Sequence, residues 1–415
     1  MMKRNLTIVE RIMYVDVKTP LNLVFTARIN GEIFEDDFKI ALDKIQQKHP
    51  LLRVSIDDTT KKYPFFVEEK EMASIPIRIV ERTSDEDWLL ESEKEWYRIF
   101  EDNKKPMAQI VWVKGATISE ILWVLPHCIC DGTTGVTLMR ELLALLDDVS
   151  LELNPYKDFD SVNDFLPTDF NFKKKKRKAR FYLLIAKLFF LMQSKNSNTN
   201  QGKNYALHRK LDVTVSKKIV EKCKANGISV HALLCSAFMQ AFKEIQGKKA
   251  KGKVISPVDV RHFIPEIKQD YIFAFAPTVE LLLDKDNNDL LSNAKHIKKD
   301  LIQKIKKMQV RELLWMGENM HSVVNSMVSV LKSSRGSHDV TLSNMGKINI
   351  RGGYKNFTLE TIFSPTVAFP WLNSNTLVTT TYNEQMDFTF MSNENFLSKE
   401  EAIKIKNKAI ELFIS

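Results

Sequence analysis

A short apolar run, Ile121-Leu122-Trp123-Val124-Leu125, passes into Pro126-His127-Cys128-Ile129-Cys130-Asp131-Gly132, and an apolar pattern of a different period begins directly after it. The run is uninterrupted and rich in β-favouring side chains, which predicts a buried strand. Beyond the turn, Leu138, Met139, Leu142, Leu143, Leu145 and Leu146 recur at helical spacing, and Thr133 and Thr134 are able to cap the helix they open. A strand that feeds through a tight turn into a helix limits this half of the chain to a mixed α/β architecture. Such a turn can aim the His127 imidazole into a cleft while the Asp131 carboxylate folds back to hold the chain. A neutral histidine takes a proton from a hydroxyl or amine near neutral pH, and Gly132 allows a substrate or another backbone to approach closely. The plainer reading is that His127 merely ends the strand and Asp131 is the helix N-cap, since a lone His and Asp at this spacing recur by chance.

Composition narrows the remaining choices. A chain of 415 residues exceeds one ordinary core, so two domains of about 200 residues are expected. The hydrophobic fraction of 44% and the charged fraction of 27% are those of a soluble globular protein. Cys128, Cys130, Cys223 and Cys235 are too few and too scattered for a disulfide framework, which favours a reducing, cytoplasmic setting. Cys128-x-Cys130 without further ligands reads as buried thiols, and no metal site is expected. Met1-Met2-Lys3-Arg4-Asn5-Leu6 has basic residues but no apolar core behind them, so no signal peptide is expected.

The formal charge of +9 is concentrated in Lys173-Lys174-Lys175-Lys176-Arg177-Lys178-Ala179-Arg180, whose seven basic residues leave the rest of the chain nearly balanced. Nucleic-acid binders spread their basic residues over a face with interleaved aromatics, so no nucleic-acid partner is expected. Directly after the basic block comes an apolar run, 181–192, too short to cross a bilayer. Packing between domains is its favoured role, because a strongly apolar surface is rare on soluble proteins. The alternative is a peripheral contact of 173–192 with an anionic membrane surface.

Along the chain, residues 1–165 form a first half, 166–204 a linker and 205–415 a second half. In the first half, Val24 to Ile29 is predicted to be a strand, Asn30-Gly31 a turn and Phe34 to Gln47 a helix stopped by Pro50, after which a strand begins. Met107 to Lys114 and Glu120 to Leu125 are a predicted strand pair. In the linker, Gln193 to Asn204 is polar and predicted to be a loop. The second half restarts with a strand at 205–211, then helices over Val215 to Asn226, closed by Gly227, and Val230 to Ile245. A strand from Val254 that empties into a loop by Arg261, long helices over Leu290 to Met308 and Arg311 to Leu331, and strands at 340–346, 376–382 and 386–391 follow. Ser398, with Glu401 three residues on, caps a last helix.

Several separated segments resemble, in order, the superfamily of condensation domains and acyl-CoA-dependent acyltransferases. They are His49-Pro50-Leu51-Leu52-Arg53, the stretch His127 to Gly132, Asn226-Gly227-Ile228-Ser229-Val230, Val258-Asp259-Val260-Arg261, Ser343-Asn344-Met345-Gly346 and Thr381-Tyr382-Asn383. The resemblance implies an α/β (α+β) fold of two chloramphenicol acetyltransferase-like domains set in a V, with an interdomain tunnel where acyl donor and acceptor meet. His127 matches the family's catalytic histidine, and Asp131 matches a catalytic-motif aspartate that is mainly structural. Arg261 fits the aspartate's ion-pair partner, and Ser343-Asn344 lies on a segment crossing between domains near the site. Where peptide-forming relatives carry a second histidine, this chain has Pro126, which tilts the expectation toward ester formation.

The function implied is transfer of an acyl group from a thioester, acyl-CoA or an acyl carrier protein, to a small-molecule alcohol in secondary or lipid metabolism. His127 would be the general base. Backbone N–H groups near Gly132, or the side chains of Ser343 or Asn344, would meet the oxyanion. No permanently bound cofactor is expected, only the phosphopantetheine arm of the donor, and the chain is expected to be a monomer. Two readings stand beside this one: amide formation on an amine, and a non-catalytic docking or lipid-surface-binding member of the same fold. Trp123, Trp315 and Trp371 are expected in the core.

Overall fold

The computed structural model describes residues 2–16, 18–59, 63–100, 104–192, 202–284 and 287–415. In the first half, β1 (Lys3–Asn5), α1 (Ile8–Tyr14), β2 (Asn22–Gly31) and α2 (Glu35–Lys48) are followed by β3 (Val54–Asp57), β4 (Phe65–Glu68) and β5 (Ile77–Glu81). Then come α3 (Asp87–Glu95), β6 (Gln109–Lys114), β7 (Ile118–Pro126) and α4 (Gly132–Asp147). A long helix, α5 (Phe172–Met192), leads to β8 (Asn204–Lys210), α6 (Val213–Ala225), α7 (Val230–Gln246), β9 (Lys253–Pro257), β10 (Thr278–Leu282), α8 (Leu290–Lys307), α9 (Val310–Glu318) and α10 (Val324–Ser333). The chain ends with β11 (Val340–Lys347), β12 (Phe357–Ile362), β13 (Thr366–Val367), β14 (Thr376–Tyr382), β15 (Gln385–Asn393) and α11 (Lys399–Ile414).

Two six-stranded sheets organise these elements. One runs β12-β2-β7-β6-β5, with β13 pairing the start of β2, and the other runs β10-β9-β11-β14-β15-β8. Strand β7 is apolar at successive positions because both its faces are covered. Ile121, Trp123 and Leu125 face a core shared with α2 and α4, whereas Leu122 and Val124 face a layer completed by Ala206, Val378 and Met391 of the second sheet. The two sheets therefore meet through side chains on the far side of the first core.

The first sheet is not built from the first half alone. After β11 the chain leaves the second sheet, buries Ile348 and Ile350 in the first half's core, and pairs β12 antiparallel with β2, Phe357 opposite Gly31. β13 pairs with Leu23 and Val24, and β14 then returns to the second sheet beside β11. Residues 345–371 thus form a clasp from the second half over the first. Gly31, predicted in a turn, is instead the last residue of β2. Its φ of +130° and the 2.3 Å from a would-be Cβ to the Asn356 carbonyl both require glycine.

Three further expectations change. Pro50 opens a short 3-10 turn, Pro50–Arg53, before the strand. The helix expected over 311–331 is two helices with a 3-10 turn between them, broken around Gly317 and Asn319. The apolar stretch 181–192 is not buried between domains. It forms the second part of α5, in which only Ala179 is buried, because its apolar residues surround the helix axis and the body covers a single stripe. Most of the loop predicted after it lies outside the described residues.

Candidate active site

The turn between β7 and α4 places the motif. Pro126 ends β7 opposite Asn22, and its carbonyl accepts the Ile129 N–H at 3.1 Å, which closes the turn. The His127 N–H donates to the Leu21 carbonyl at 2.8 Å, so the backbone of the histidine is tied to the strand's neighbour. The imidazole is half-buried against the Phe369 ring, 5.9 Å between centroids. Nδ1 is enclosed, with the backbone carbonyls of His127 and Cys130 as its polar neighbours, and among the described residues no side chain hydrogen-bonds the ring, which keeps its acceptor capacity. Burial lowers the pKa of His127 below the ordinary 6.5, against smaller upward pulls from nearby backbone carbonyls and Asp131.

Asp131 points to other partners. It is the N-cap of α4: its Oδ1 accepts the Thr134 N–H at 2.8 Å and the Thr134 hydroxyl at 2.9 Å. The cap is therefore Asp131 rather than Thr133 or Thr134. Arg261 grips the same carboxylate with two N–H groups, at 2.6 and 3.2 Å, and also donates to the Tyr271 carbonyl at 3.1 Å. The Arg261 side chain is fully buried, and Asp259 lies 3.4 Å from it. Asp131 makes no hydrogen bond to His127, so its carboxylate fixes the turn and does not orient the ring.

Gly132 is the first residue of α4, and a Cβ there would come within 3.0 Å of the Met345 side chain. The motif and β11 are in contact at this point. Ser343 lies two residues before Met345 on β11. Asn344 stands between them. Its Oδ1 accepts the Gly346 N–H at 2.8 Å, where the strand bulges and Gly346 takes φ +68°. Of the two side chains expected near the oxyanion, Asn344 is committed to the bulge, and it is Met345 that the structure brings against Gly132. Cys128 and Cys130 are buried, and burial pushes both thiols well up, which removes them as nucleophiles.

Two features were not singled out from the sequence. Phe369, on the return of the clasp, touches His127 and stacks toward Trp371 at 6.4 Å between centroids. Trp371 is half-buried beside a cavity that Phe369, Trp96 and Tyr97 also line, whereas Trp123 and Trp315 are in the core as expected. The second feature is the loop 259–273. The Ile272 N–H donates to the Tyr156 hydroxyl at 3.0 Å, Lys48 bridges Glu141 at 2.7 Å and Asp270 at 2.8 Å, and Tyr156 stacks on Tyr271 at 3.9 Å. His49 sits beneath, fully buried, between Tyr156 at 3.0 Å and Glu141 at 2.7 Å. The loop ties the two halves together, and Tyr156 and Tyr271, far apart in the chain, carry no local signal of their pairing.

The condensation-domain family model matches residues 15–330. The sequence matches no curated protein. Among solved structures, the trichothecene 15-O-acetyltransferase from Fusarium sporotrichioides is similar with a TM-score of 0.74 at 15% identity, covering 99% of this chain and 94% of that one. The condensation domain from monacolin K polyketide synthase gives 0.68 at 9% identity, covering 100% and 97%. The epimerization domain from the third module of tyrocidine synthetase B gives 0.67 at 11%, covering 99% and 96%. At such identities the likeness is one of fold, and it extends over both sheets. With the family match over most of its length, the chain belongs to the condensation-domain family and has the two-halved α/β fold of the chloramphenicol acetyltransferase type.

Proposed function

We propose that the protein transfers an acyl group from a thioester to an alcohol, with His127 as the general base. The observation that carries this reading is the setting of the His127 imidazole: held by its backbone, its pKa lowered by burial, and without a hydrogen bond to Asp131, whose carboxylate is occupied elsewhere. In the proposed step the imidazole takes the hydroxyl proton as the acceptor oxygen attacks the thioester carbonyl. The tetrahedral intermediate's oxyanion would be met by donors at the start of α4, around Gly132, or by the Ser343 hydroxyl. Collapse breaks the C–S bond, and the imidazolium returns its proton to the leaving thiolate. The donor, acyl-CoA or an acylated carrier protein, would supply the phosphopantetheine thiol.

The test is release of free thiol from a panel of acyl-CoAs, with alcohols and amines offered as acceptors. His127→Ala should lower turnover by about a hundredfold or more, the scale for removing a general base. A folded His127→Ala variant with near-normal turnover would sink the reading. A wild-type protein that releases no thiol from CoA or carrier-bound donors would favour a non-catalytic member of the family, and preference for amines would favour amide formation.

A further inference from the structure

Helix α5 has 21 residues, and residues 170–192 contain no acidic side chain. Its root is fastened to the body. Lys175 and Lys178 both pair with Glu312 of α9, Ala179 is buried, and Phe170 packs edge-on against Trp315 at 5.4 Å. The covered positions, Lys175, Ala179, Leu183, Ala186 and Phe190, are spaced three or four apart and so form one stripe. Everything else on the helix is exposed. On the first two turns that means Lys173, Lys174, Lys176, Arg177 and Arg180, with which no carboxylate pairs among the described residues. On the later turns it means Lys187 and otherwise mainly apolar side chains, among them Phe181, Leu184, Leu188, Phe189, Leu191 and Met192, the last two 80% and 85% exposed.

We infer that α5 docks the protein on an anionic membrane surface, lying in the interface. Turns that are apolar on every uncovered side but for Lys187, whose long side chain can carry its charge out to the headgroups, need a medium that wets every side, whereas a protein groove covers one face. The charge sorting fits such a medium, since five unpaired cations stand next to the apolar turns, where anionic headgroups adjoin acyl chains. Lys307, at the exposed end of α8, lines the hollow beside Tyr182 and extends the basic field along the same side. The apolar turns, 181–192, extend about 18 Å at 1.5 Å per residue, short of the roughly 30 Å of a hydrocarbon core. Consistently, no described helix is long and apolar enough to cross a membrane.

The test is co-sedimentation of the full chain with phosphatidylcholine vesicles, with and without about 30% phosphatidylglycerol. It needs no substrate and is therefore independent of the acyl-transfer reading. Binding is expected only to the anionic vesicles and should fall steeply between about 0.05 and 0.5 M salt. Each of Lys173→Gln, Lys174→Gln, Lys176→Gln and Arg177→Gln should weaken it by about fivefold. Leu188→Asp with Phe189→Asp should abolish it and leave the thermal midpoint without lipid unchanged, because both side chains are exposed. The inference is overturned if the wild type does not bind anionic vesicles at low salt, or if the aspartate variant binds as well as the wild type. A lowered midpoint in that variant, or a lipid-free dimer that it converts to monomer, would overturn it in favour of packing or self-association.

Discussion

An imidazole that is to take a proton from an alcohol must be unprotonated when the alcohol arrives. At His127 burial supplies that condition, and the direction of its pKa shift sets a measurable consequence. Lowering the pKa keeps the base form populated as pH falls past 6.5, so kcat/KM should stay level through neutrality and decline only below the ordinary histidine range. An acid limb centred above 6.5 in the pH–rate profile would contradict the proposed base. Asp131 and Arg261 invite a separate measurement. Asp131→Ala leaves the buried guanidinium with Asp259 at 3.4 Å as its remaining carboxylate, and Arg261→Ala strips the cap of its counter-charge. Each should cost about 3 kcal/mol or more, and the double variant less than the sum, read from thermal or denaturant melts. The spacing from His127 to Asp131 made this pair of residues legible in sequence, and the resemblance pointed to Arg261. Phe369 was not legible, because an aromatic in an irregular stretch carries no periodic signal and reaches the histidine only through the return of the clasp.

Elements announced themselves where one period dominated. The β7 run, the α4 leucines and the Ser398 cap of α11 are local patterns, and the structure has them where the sequence put them. The strand expected after Pro50 is β3, whereas the short strands β1, β4 and β5 and the edge strand β12 were not readable, since their partners lie far off in the chain and burial alternates weakly along them. For α5, hydrophobicity was visible but its angular spread was not used, and the spread is what keeps the helix on the surface. A packing prediction belongs at this scale. Gly135 brings α4 onto β2, where an added Cβ would lie 2.7 Å from the Phe25 ring, itself fully buried. Gly135→Ala should therefore destabilise by about 1–3 kcal/mol, despite alanine's better helix propensity. A variant as stable as the wild type in a denaturant titration would show that the helix can lift from the sheet at little cost.

Across the whole molecule, loop 259–273 and the clasp 345–371 hold the two halves from opposite directions, and the motif lies where both arrive. Tyr156 is a joint in the first of these: its hydroxyl accepts the Ile272 N–H and meets His49 Nδ1. Tyr156→Phe keeps the ring stacked on Tyr271 but leaves two buried polar groups unpaired, which should cost about 1–3 kcal/mol and lower the melting temperature in calorimetry. That the fold has two sheet-based halves was legible from length; the strand exchange was not, because sequence order hides which sheet a strand joins. That exchange has a consequence for how the protein is made. During synthesis β2 and β7 emerge early, but the partner that covers the other edge of β2 comes from the last fifth of the chain. Until the ribosome has passed residue 367, the nascent first half presents an unpaired strand edge above an open apolar core. That edge is the kind of surface that nascent-chain chaperones shield and that neighbouring polysome chains can pair with in error.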